Sequence, residues 1–160
     1  MQGIDKYRRL YKAIGYTFNN EALLEQALTH RSAAKQHNER LEFLGDAVLG
    51  MIVGETLFRR FPSVPEGKLT RMRSTLVKGE TLAELAKETS VGELLNLGPG
   101  ELKSGGHRRS SILADAIEAI LGAIYLDSGM DEVRGVIDRL WESRIEKLDP
   151  NAHHKDSKTR

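Results

Sequence analysis

Two apolar stretches of the 160-residue sequence each contain a pair of carboxylates and no other charge. The pairs lie in residues 41–54 and 112–126, and the four side chains are Glu42, Asp46, Asp115 and Glu118. A helix that is apolar nearly all round is expected to be buried, and a buried carboxylate costs several kcal/mol unless it is paired or binds a metal ion. The sequence therefore predicts that these four groups are held inside the protein for a chemical purpose.

The helical spacing of these carboxylates places them in two acidic stripes. At about 100° per residue, Glu39, Glu42 and Asp46 fall within about 60° of one another on the helix surface. Asp115 and Glu118 are spaced in the same way on their own helix. If the stripes face each other, the converging carboxylates form the donor set of a hard cation such as Mg²⁺ or Mn²⁺. Carboxylates around such ions, without a nucleophile triad, point to hydrolysis of a phosphodiester.

The same carboxylates could instead have a purely structural role. Either pair could be bonded to an arginine, such as Arg40, or to a helix end. A di-iron site would expect a Glu-x-x-His motif on facing helices, and neither stretch contains histidine. The sequence also lacks a calcium loop of the EF-hand type. Two matching pairs weaken the case for a purely structural role more than one pair would.

The elements that must position these groups are predicted to be helices. Apolar residues recur at spacings of three and four, and alternating β-branched runs are missing, so the pattern predicts an all-α domain. The predicted helices cover residues 6–14, a segment after Asn20, residues 39–61, 65–78, 82–89 and 111–126, and a last segment through residues 133–145. Thr81 and Glu84 are spaced as a capping box. The glycine-rich segment 98–106 is predicted to be a loop.

Composition narrows the class of protein. A length of 160 residues with 39% apolar residues suits one compact domain. The absence of cysteine excludes disulfides and thiolate metal sites, and it favours a reducing cytoplasm. No apolar run approaches the ~20 residues that a membrane span requires, so no membrane association is predicted. The 24 basic and 23 acidic residues leave a net charge of +1, which by itself does not indicate a polyanion partner.

The run Asn38-Glu-Arg-Leu-Glu-Phe-Leu-Gly-Asp46 resembles the signature motif of the ribonuclease III family. The resemblance covers nearly the whole chain and fits the bacterial enzyme best. Its further segments are Gly15–Phe18, Ala27–Ser32, Phe61–Pro62, Glu66–Gly67, Leu97–Glu101 and Ser111–Glu118. The resemblance implies the all-helical catalytic domain of an endonuclease that cuts double-stranded RNA.

The resemblance also implies roles for individual residues. All four carboxylates of the apolar stretches would be ligands of Mg²⁺, with Mn²⁺ as a substitute. Asp46 and Glu118 would also be essential for catalysis, and loss of Glu118 would be the most damaging. Glu39 and Glu66 match further acidic positions of the family's catalytic valley, where they would assist contacts to RNA or water. Phe43 matches an aromatic that inserts into a pocket of a partner subunit, although without the motif it would be an ordinary core residue.

The family acts as a homodimer, which implies two sites along a valley that holds the RNA duplex. Each site would cut one strand and leave a 5′-phosphate, a 3′-hydroxyl and a short 3′ overhang. Lys103 lies in the glycine-rich segment, and His107, Arg108 and Arg109 follow it without intervening acids. They could contact phosphates or 2′-hydroxyls of the duplex, and a merely solvated loop is the alternative.

The resemblance also suggests a domain organisation. Residues 1–149 would be the catalytic domain, and residues 150–160 would be a linker to a double-stranded-RNA-binding domain that is absent from this chain. The predicted function is cytoplasmic processing of structured RNA, such as rRNA precursors and mRNA. One alternative is a catalytically silent, dimeric RNA-binding or scaffold module on the same fold. Another is a metal-stabilised structural bundle, which chelation would melt.

Overall fold

The computed structural model describes residues 2–148 and folds them into eight α-helices. The helices are α1 (Gln2–Ile14), α2 (Glu21–Ala27), α3 (Glu39–Arg60), α4 (Glu66–Val77), α5 (Gly79–Glu88), α6 (Pro99–Lys103), α7 (Ser110–Ser128) and α8 (Met130–Lys147), with short 3₁₀ turns at Val91–Leu94 and Gly106–Arg108. This part of the chain has no strand, only an isolated β-bridge between Thr29 and Asn96. The all-α prediction is confirmed, while the predicted linker at residues 150–160 lies outside the described residues.

Two predicted elements differ from those observed. Helix α5 begins at Gly79, and the Thr81 hydroxyl donates to the Thr75 carbonyl at 2.8 Å instead of capping the helix. The predicted capping box is therefore wrong. Lys78, whose backbone is extended, occupies the N-cap position of α5, so Thr81 already lies inside the first turn of the helix. The glycine-rich segment is also not a continuous loop. Helix α6 begins within this segment at Pro99. The N–H of a first helical residue has no acceptor inside the helix, so a proline, which lacks this N–H, costs no hydrogen bond there.

The crossing of α3 and α7 forms the centre of the fold, and two glycines determine how closely these helices approach. A Cβ atom at Gly45 of α3 would lie 1.7 Å from the Glu118 carbonyl oxygen. A Cβ atom at Gly122 of α7 would lie 2.4 Å from the Leu41 carbonyl oxygen. Both positions therefore require glycine, since any side chain would separate the two backbones. The crossing brings the acidic stripe of α3 against that of α7.

The two central helices differ in how far they are buried. In α7, every residue from Ile112 to Ile124 is buried except Asp115, as the apolar pattern predicts. In α3, the side chains of Phe43, Met51 and Phe58 are 80%, 52% and 69% exposed. The expectation that an apolar helix is buried all round is therefore wrong for α3. The face of α3 that carries these three side chains is not covered by any described residue. None of the described helices is long and apolar enough to span a bilayer.

The segment between α2 and α3 is a loop, and hydrogen bonds tie it to the segment before α6. The His30 N–H donates to the Asn96 carbonyl at 3.0 Å. The Asn38 side chain donates to the Ala27 carbonyl at 3.1 Å, directly before α3 begins. These bonds fix the first turn of α3, where its acidic stripe starts.

Replacing Gly45 by alanine is expected to lower the free energy of unfolding by about 3 kcal/mol, because the new methyl group collides with helix backbone and not with a flexible side chain. Urea denaturation measures this difference. Gly135→Ala on α8 is the matched control, since a Cβ there meets only the Arg139 guanidinium, at 3.5 Å. That variant should be about 0.5–1 kcal/mol more stable than the parent. Equal stability of the two variants would contradict the close crossing of α3 and α7.

Candidate metal centre

Three carboxylates from α3 and α7 meet where the two helices cross. Glu42, Asp115 and Glu118 each offer one oxygen, and these oxygens lie within 4.8 Å of one another. Asp46, the fourth predicted ligand, shares a hydrogen bond with Glu118 but does not belong to the group of three. Its side chain is exposed, so the prediction that it is buried is wrong, because no described residue covers the face of α3 on which it lies. The structure therefore brings all four predicted side chains together, and three of them can reach a single ion.

Burial and mutual repulsion favour the protonated forms of Glu42, Asp115 and Glu118. Glu118 is only 8% exposed, and its burial, the hydrogen bond with Asp46 and the neighbouring charges raise its pKa to about 9. Burial and the adjacent Asp115 raise the pKa of Glu42 to about 7. Burial also raises the pKa of Asp115.

Basic side chains do not neutralise this group. Within residues 6–148, no lysine or arginine forms a salt bridge with any of the four carboxylates. The alternative in which each pair is bonded to an arginine therefore finds no support in the structure. Carboxylates this close to one another, without a cation, repel one another and resist ionisation.

The donor set suits a hard divalent cation. Carboxylate oxygens are the ligands that Mg²⁺ and Mn²⁺ prefer in proteins. A bound cation would offset the burial and the repulsion that together raise the pKa values of Glu42 and Glu118. The group of three contains no imidazole or thiolate, the donors that softer metals prefer. The residues present therefore fit the kind of ion predicted from the sequence.

An open cleft of ≈ 310 Å³ adjoins the carboxylates and carries charges of both signs at its rim. The Nη1 atom of Arg31 lies 3.7 Å from Oε2 of Glu39, and Nη1 of Arg109 lies 2.6 Å from Oε2 of Glu101. Each arginine is therefore held beside the cleft by an acidic partner. Glu39 lines this cleft without belonging to the group of three carboxylates. Of the four basic residues predicted to contact RNA, Arg109 alone lines this cleft.

The other predicted site residues lie apart from the carboxylates. Lys103 is exposed at the end of α6, and His107 and Arg108 line a separate cavity of ≈ 470 Å³. Glu66 stands in the first turn of α4 and lines a mostly apolar cavity of ≈ 650 Å³. Phe43 projects from α3 into solvent. The structure thus does not bring these five residues to the carboxylate cleft of their own chain.

Six residues line the cleft without a predicted role at the site, and three of these have ionisable side chains, namely His30, Arg31 and Glu101. The Nδ1 atom of His30 bonds within the fold by accepting from the Ser32 N–H. All three lie in segments that carry the resemblance to ribonuclease III, 27–32 and 97–101. That shared location is the signal that could have identified them.

The part of the chain that forms the carboxylate centre matches a known protein family. A family model described as ribonuclease-III-like matches residues 20–143, a segment that contains both central helices and all four carboxylates. The chain belongs to the ribonuclease III family. This membership confirms the predicted fold and the predicted class of enzyme, a double-strand-specific endoribonuclease.

Individual members of the ribonuclease III family are similar over most of the chain. A protein named Ribonuclease 3 from Aliivibrio fischeri is 59% identical over 153 residues, which cover 96% of this chain and 69% of that protein. Ribonuclease 3 from Shewanella amazonensis is 55% identical over 159 residues, covering 99% and 70%. The solved nuclease domain of ribonuclease III from Campylobacter jejuni is 41% identical with a TM-score of 0.83, covering 86% of this chain and 96% of that one.

Without a divalent cation, this ribonuclease III domain is expected to lose stability as the pH rises from about 5 to about 9. The pKa values of Glu42 and Glu118 in the folded state, about 7 and about 9, exceed the ordinary value of 4.5, so folding takes up protons in this range. A carboxyl group whose pKa is raised on folding contributes its full stability below the ordinary pKa and loses it as the pH rises through the folded value. Thermal melts in EDTA across this range measure the decline.

Adding Mg²⁺ should raise the melting temperature most at the alkaline end of that range. Binding stabilises the folded state by mass action, and it is strongest where fewest protons must be displaced from the carboxylates. Glu118→Gln is the matched variant, and it should flatten the decline in EDTA and remove most of the response to Mg²⁺. A melting temperature that responds to neither pH nor Mg²⁺ would count against the metal centre.

Proposed function

We propose that this domain hydrolyses the phosphodiester bonds of double-stranded RNA at the carboxylate centre with Mg²⁺, which Mn²⁺ can replace. Glu42, Asp115 and Glu118 would hold the ion, and Asp46 would complete the acidic set. The products would carry 5′-phosphate and 3′-hydroxyl ends. The main support for the proposal is that three carboxylate oxygens lie within 4.8 Å of one another in a chain of this family. Cytoplasmic processing of rRNA precursors and mRNA stays a prediction.

When bound, the ion supplies charge neutralisation at the phosphate and lowers the pKa of the attacking water. The protein's own residues prepare the site for this chemistry in two ways. The close crossing of α3 and α7 holds the carboxylates together without basic neighbours that would compete for them. At the rim, Arg31 and Arg109 attract the phosphate backbone, and Glu39 and Glu101 keep these arginines in place. Glu39 therefore contributes to the binding of RNA, because it holds Arg31 in place.

The proposed active form is a homodimer built through the exposed face of α3. Phe43 on this face is 80% exposed. The cavity of ≈ 650 Å³ has apolar walls that could accept an aromatic ring; they are formed by Phe58, Phe61, Pro62, Val64 and Leu69. In a two-fold dimer, each Phe43 would fill the cavity of the other subunit, because an isologous interface makes every contact twice. The solved C. jejuni relative is itself described as having a region involved in dimer formation.

The same dimer accounts for Glu66. This carboxylate lines the cavity that would receive the partner subunit's Phe43. Phe43 lies between the predicted ligands Glu42 and Asp46 in the sequence. Glu66 would therefore face the metal centre of the partner subunit and not its own. This arrangement explains how an acidic residue outside the carboxylate cluster could still belong to the catalytic valley.

The second candidate function is a catalytically silent RNA-binding or scaffold dimer. The four intact carboxylates argue against it, because concentrated negative charge opposes binding of a polyanion unless a cation neutralises it. A structural bundle stabilised by metal would differ from both, since chelation would unfold it. The three functions therefore predict different results for cutting and for folding.

Cleavage of an end-labelled, perfectly paired RNA duplex tests the proposal. We expect cuts on both strands with staggered ends in Mg²⁺ and in Mn²⁺, and none in EDTA. A single strand of the same sequence, the matched control, should stay intact. A folded dimer that binds the duplex but cuts it in neither metal, including at high enzyme concentration, would support the silent module instead.

A further inference from the structure

His30 stands at the rim of the carboxylate cleft with one ring nitrogen bonded inside the fold. The Ser32 N–H donates to His30 Nδ1 at 3.1 Å, and the Ser32 hydroxyl oxygen lies 2.8 Å from the same nitrogen. A backbone N–H can only donate, so Nδ1 is an acceptor and carries no proton. The neutral ring therefore carries its proton on Nε2.

Two loops hold this ring and its tautomer in place. The Gly98 N–H donates to the Ser32 hydroxyl oxygen at 2.9 Å, which leaves the hydroxyl proton available for His30 Nδ1. The His30 N–H donates to the Asn96 carbonyl at 3.0 Å. A Cβ atom at Gly98 would lie 2.2 Å from the Ser32 carbonyl oxygen, so the two loops are in backbone contact. The ring is thus oriented by residues that do not belong to the carboxylate group.

The position of His30 excludes a role as a metal ligand. Its ring lines the cleft together with Glu42 and Asp115. The ligand atoms within 4.8 Å of one another come from carboxylates, and no described histidine joins them. A nitrogen that carries a proton has no lone pair for a cation. The described residues also offer Nε2 no hydrogen-bond acceptor, whereas Nδ1 has its partner in Ser32.

We propose that His30 is a substrate-positioning residue whose Nε2–H donates a hydrogen bond to a phosphate oxygen of the RNA strand at the carboxylate centre. The inference rests on the proposed function of that centre. A neutral donor suits this place, because a lysine or arginine beside Glu42 and Asp115 would pair with them and compete with the metal ion. Arg31 and Arg109 in the same cleft attract the polyanion. His30 adds a directed bond without adding charge.

Two variants of His30 separate this role from a structural one. His30→Phe keeps a ring but removes both nitrogens, and His30→Gln keeps an N–H donor near the place of Nε2. Initial rates of duplex cleavage in Mg²⁺ give kcat and KM. For His30→Phe we expect kcat/KM to fall about 10- to 100-fold, the range for a hydrogen bond to a charged group. His30→Gln should stay within about fivefold of the parent chain.

The outcomes distinguish the inference from the proposed function. A parent chain that never cuts duplex would count against the function of the centre. A parent chain that cuts, together with a His30→Phe variant that cuts equally well, would overturn the role of His30. Equal losses in both variants would also overturn it, because they indicate a structural role. Thermal melts with and without Mg²⁺ should be unchanged in both variants.

A second measurement needs neither cleavage nor a variant. The ¹⁵N resonances of the His30 ring in the parent chain report which nitrogen is protonated. We expect a proton on Nε2 and none on Nδ1, and a shift of the Nε2 resonance when RNA duplex is added with Ca²⁺ in place of Mg²⁺. A proton on Nδ1, or an Nε2 resonance that does not respond to duplex, would overturn the proposal even if His30→Phe failed to fold.

Discussion

We expect Glu118→Gln to abolish duplex cleavage in Mg²⁺, with a loss on the order of 10³-fold or more. Glutamine keeps the shape of the side chain but has no charge with which to hold a cation. Glu118 is buried at 8% exposure, belongs to the group of three and shares a hydrogen bond with Asp46, so it links Asp46 to the other two carboxylates. Removing it takes away several kcal/mol of electrostatic stabilisation, and each 1.4 kcal/mol corresponds to about a tenfold change in rate.

Single-turnover cleavage measures this loss, and urea denaturation in EDTA tests the fold of the variant. Near neutral pH the variant should be at least as stable as the parent chain. The reason is that Glu118, with a pKa of about 9 when folded, must take up a proton on folding, and glutamine need not. Glu146→Gln, an exposed position on α8, is the control and should cut normally. Cleavage by Glu118→Gln at the parent rate would exclude this centre as the active site.

The second large effect is expected from Phe43→Asp, which should convert the proposed dimer to monomers. Phe43 is 80% exposed in the single chain, and its proposed site is the apolar cavity of the partner. An aspartate would place an unpaired charge in that cavity. Two-fold symmetry repeats the loss at both contacts. With about 2 kcal/mol for each anchor residue, the dimer should weaken by about 1,000-fold or more.

Sedimentation equilibrium measures the dissociation constant of the dimer. Cleavage should be lost together with dimerisation, while circular dichroism should show an unchanged helical fold, because the altered side chain is exposed. Leu126→Asp is the matched control, since Leu126 is a 54% exposed apolar residue that does not line the apolar cavity. A Phe43→Asp variant that stays dimeric and active would place the interface elsewhere.

Much of the candidate centre could be predicted because it depends on local rules. The period of the helix puts residues three or four apart on one face, so the pairs in α3 and α7 could be recognised without knowing how the helices pack. The cost of burying a carboxylate then singled out Glu42, Asp46, Asp115 and Glu118 from the other acidic residues. The structure brings the same four together.

The failures have a different cause. The capping box at Thr81 and Glu84 did not form, because the Thr81 hydroxyl reaches the Thr75 carbonyl once α4 and α5 are folded against each other. The apolar pattern of α3 predicted burial, but it could not show that one face lacks a partner within the chain. Residues such as His30 and Glu101 joined the cleft only because the loop after α2 and helix α6 meet beside it.

By itself, then, the amino-acid sequence determined the two central helices, their acidic stripes and the type of metal ion that such groups prefer. These features follow from helical period and from the free energy of burying charge, which act within one segment. The tertiary structure alone decided that Gly45 and Gly122 let the stripes meet, that Glu66 lies apart from them and that His30 presents a fixed tautomer. Each of these depends on contacts between segments distant in the chain, whose packing no local pattern specifies.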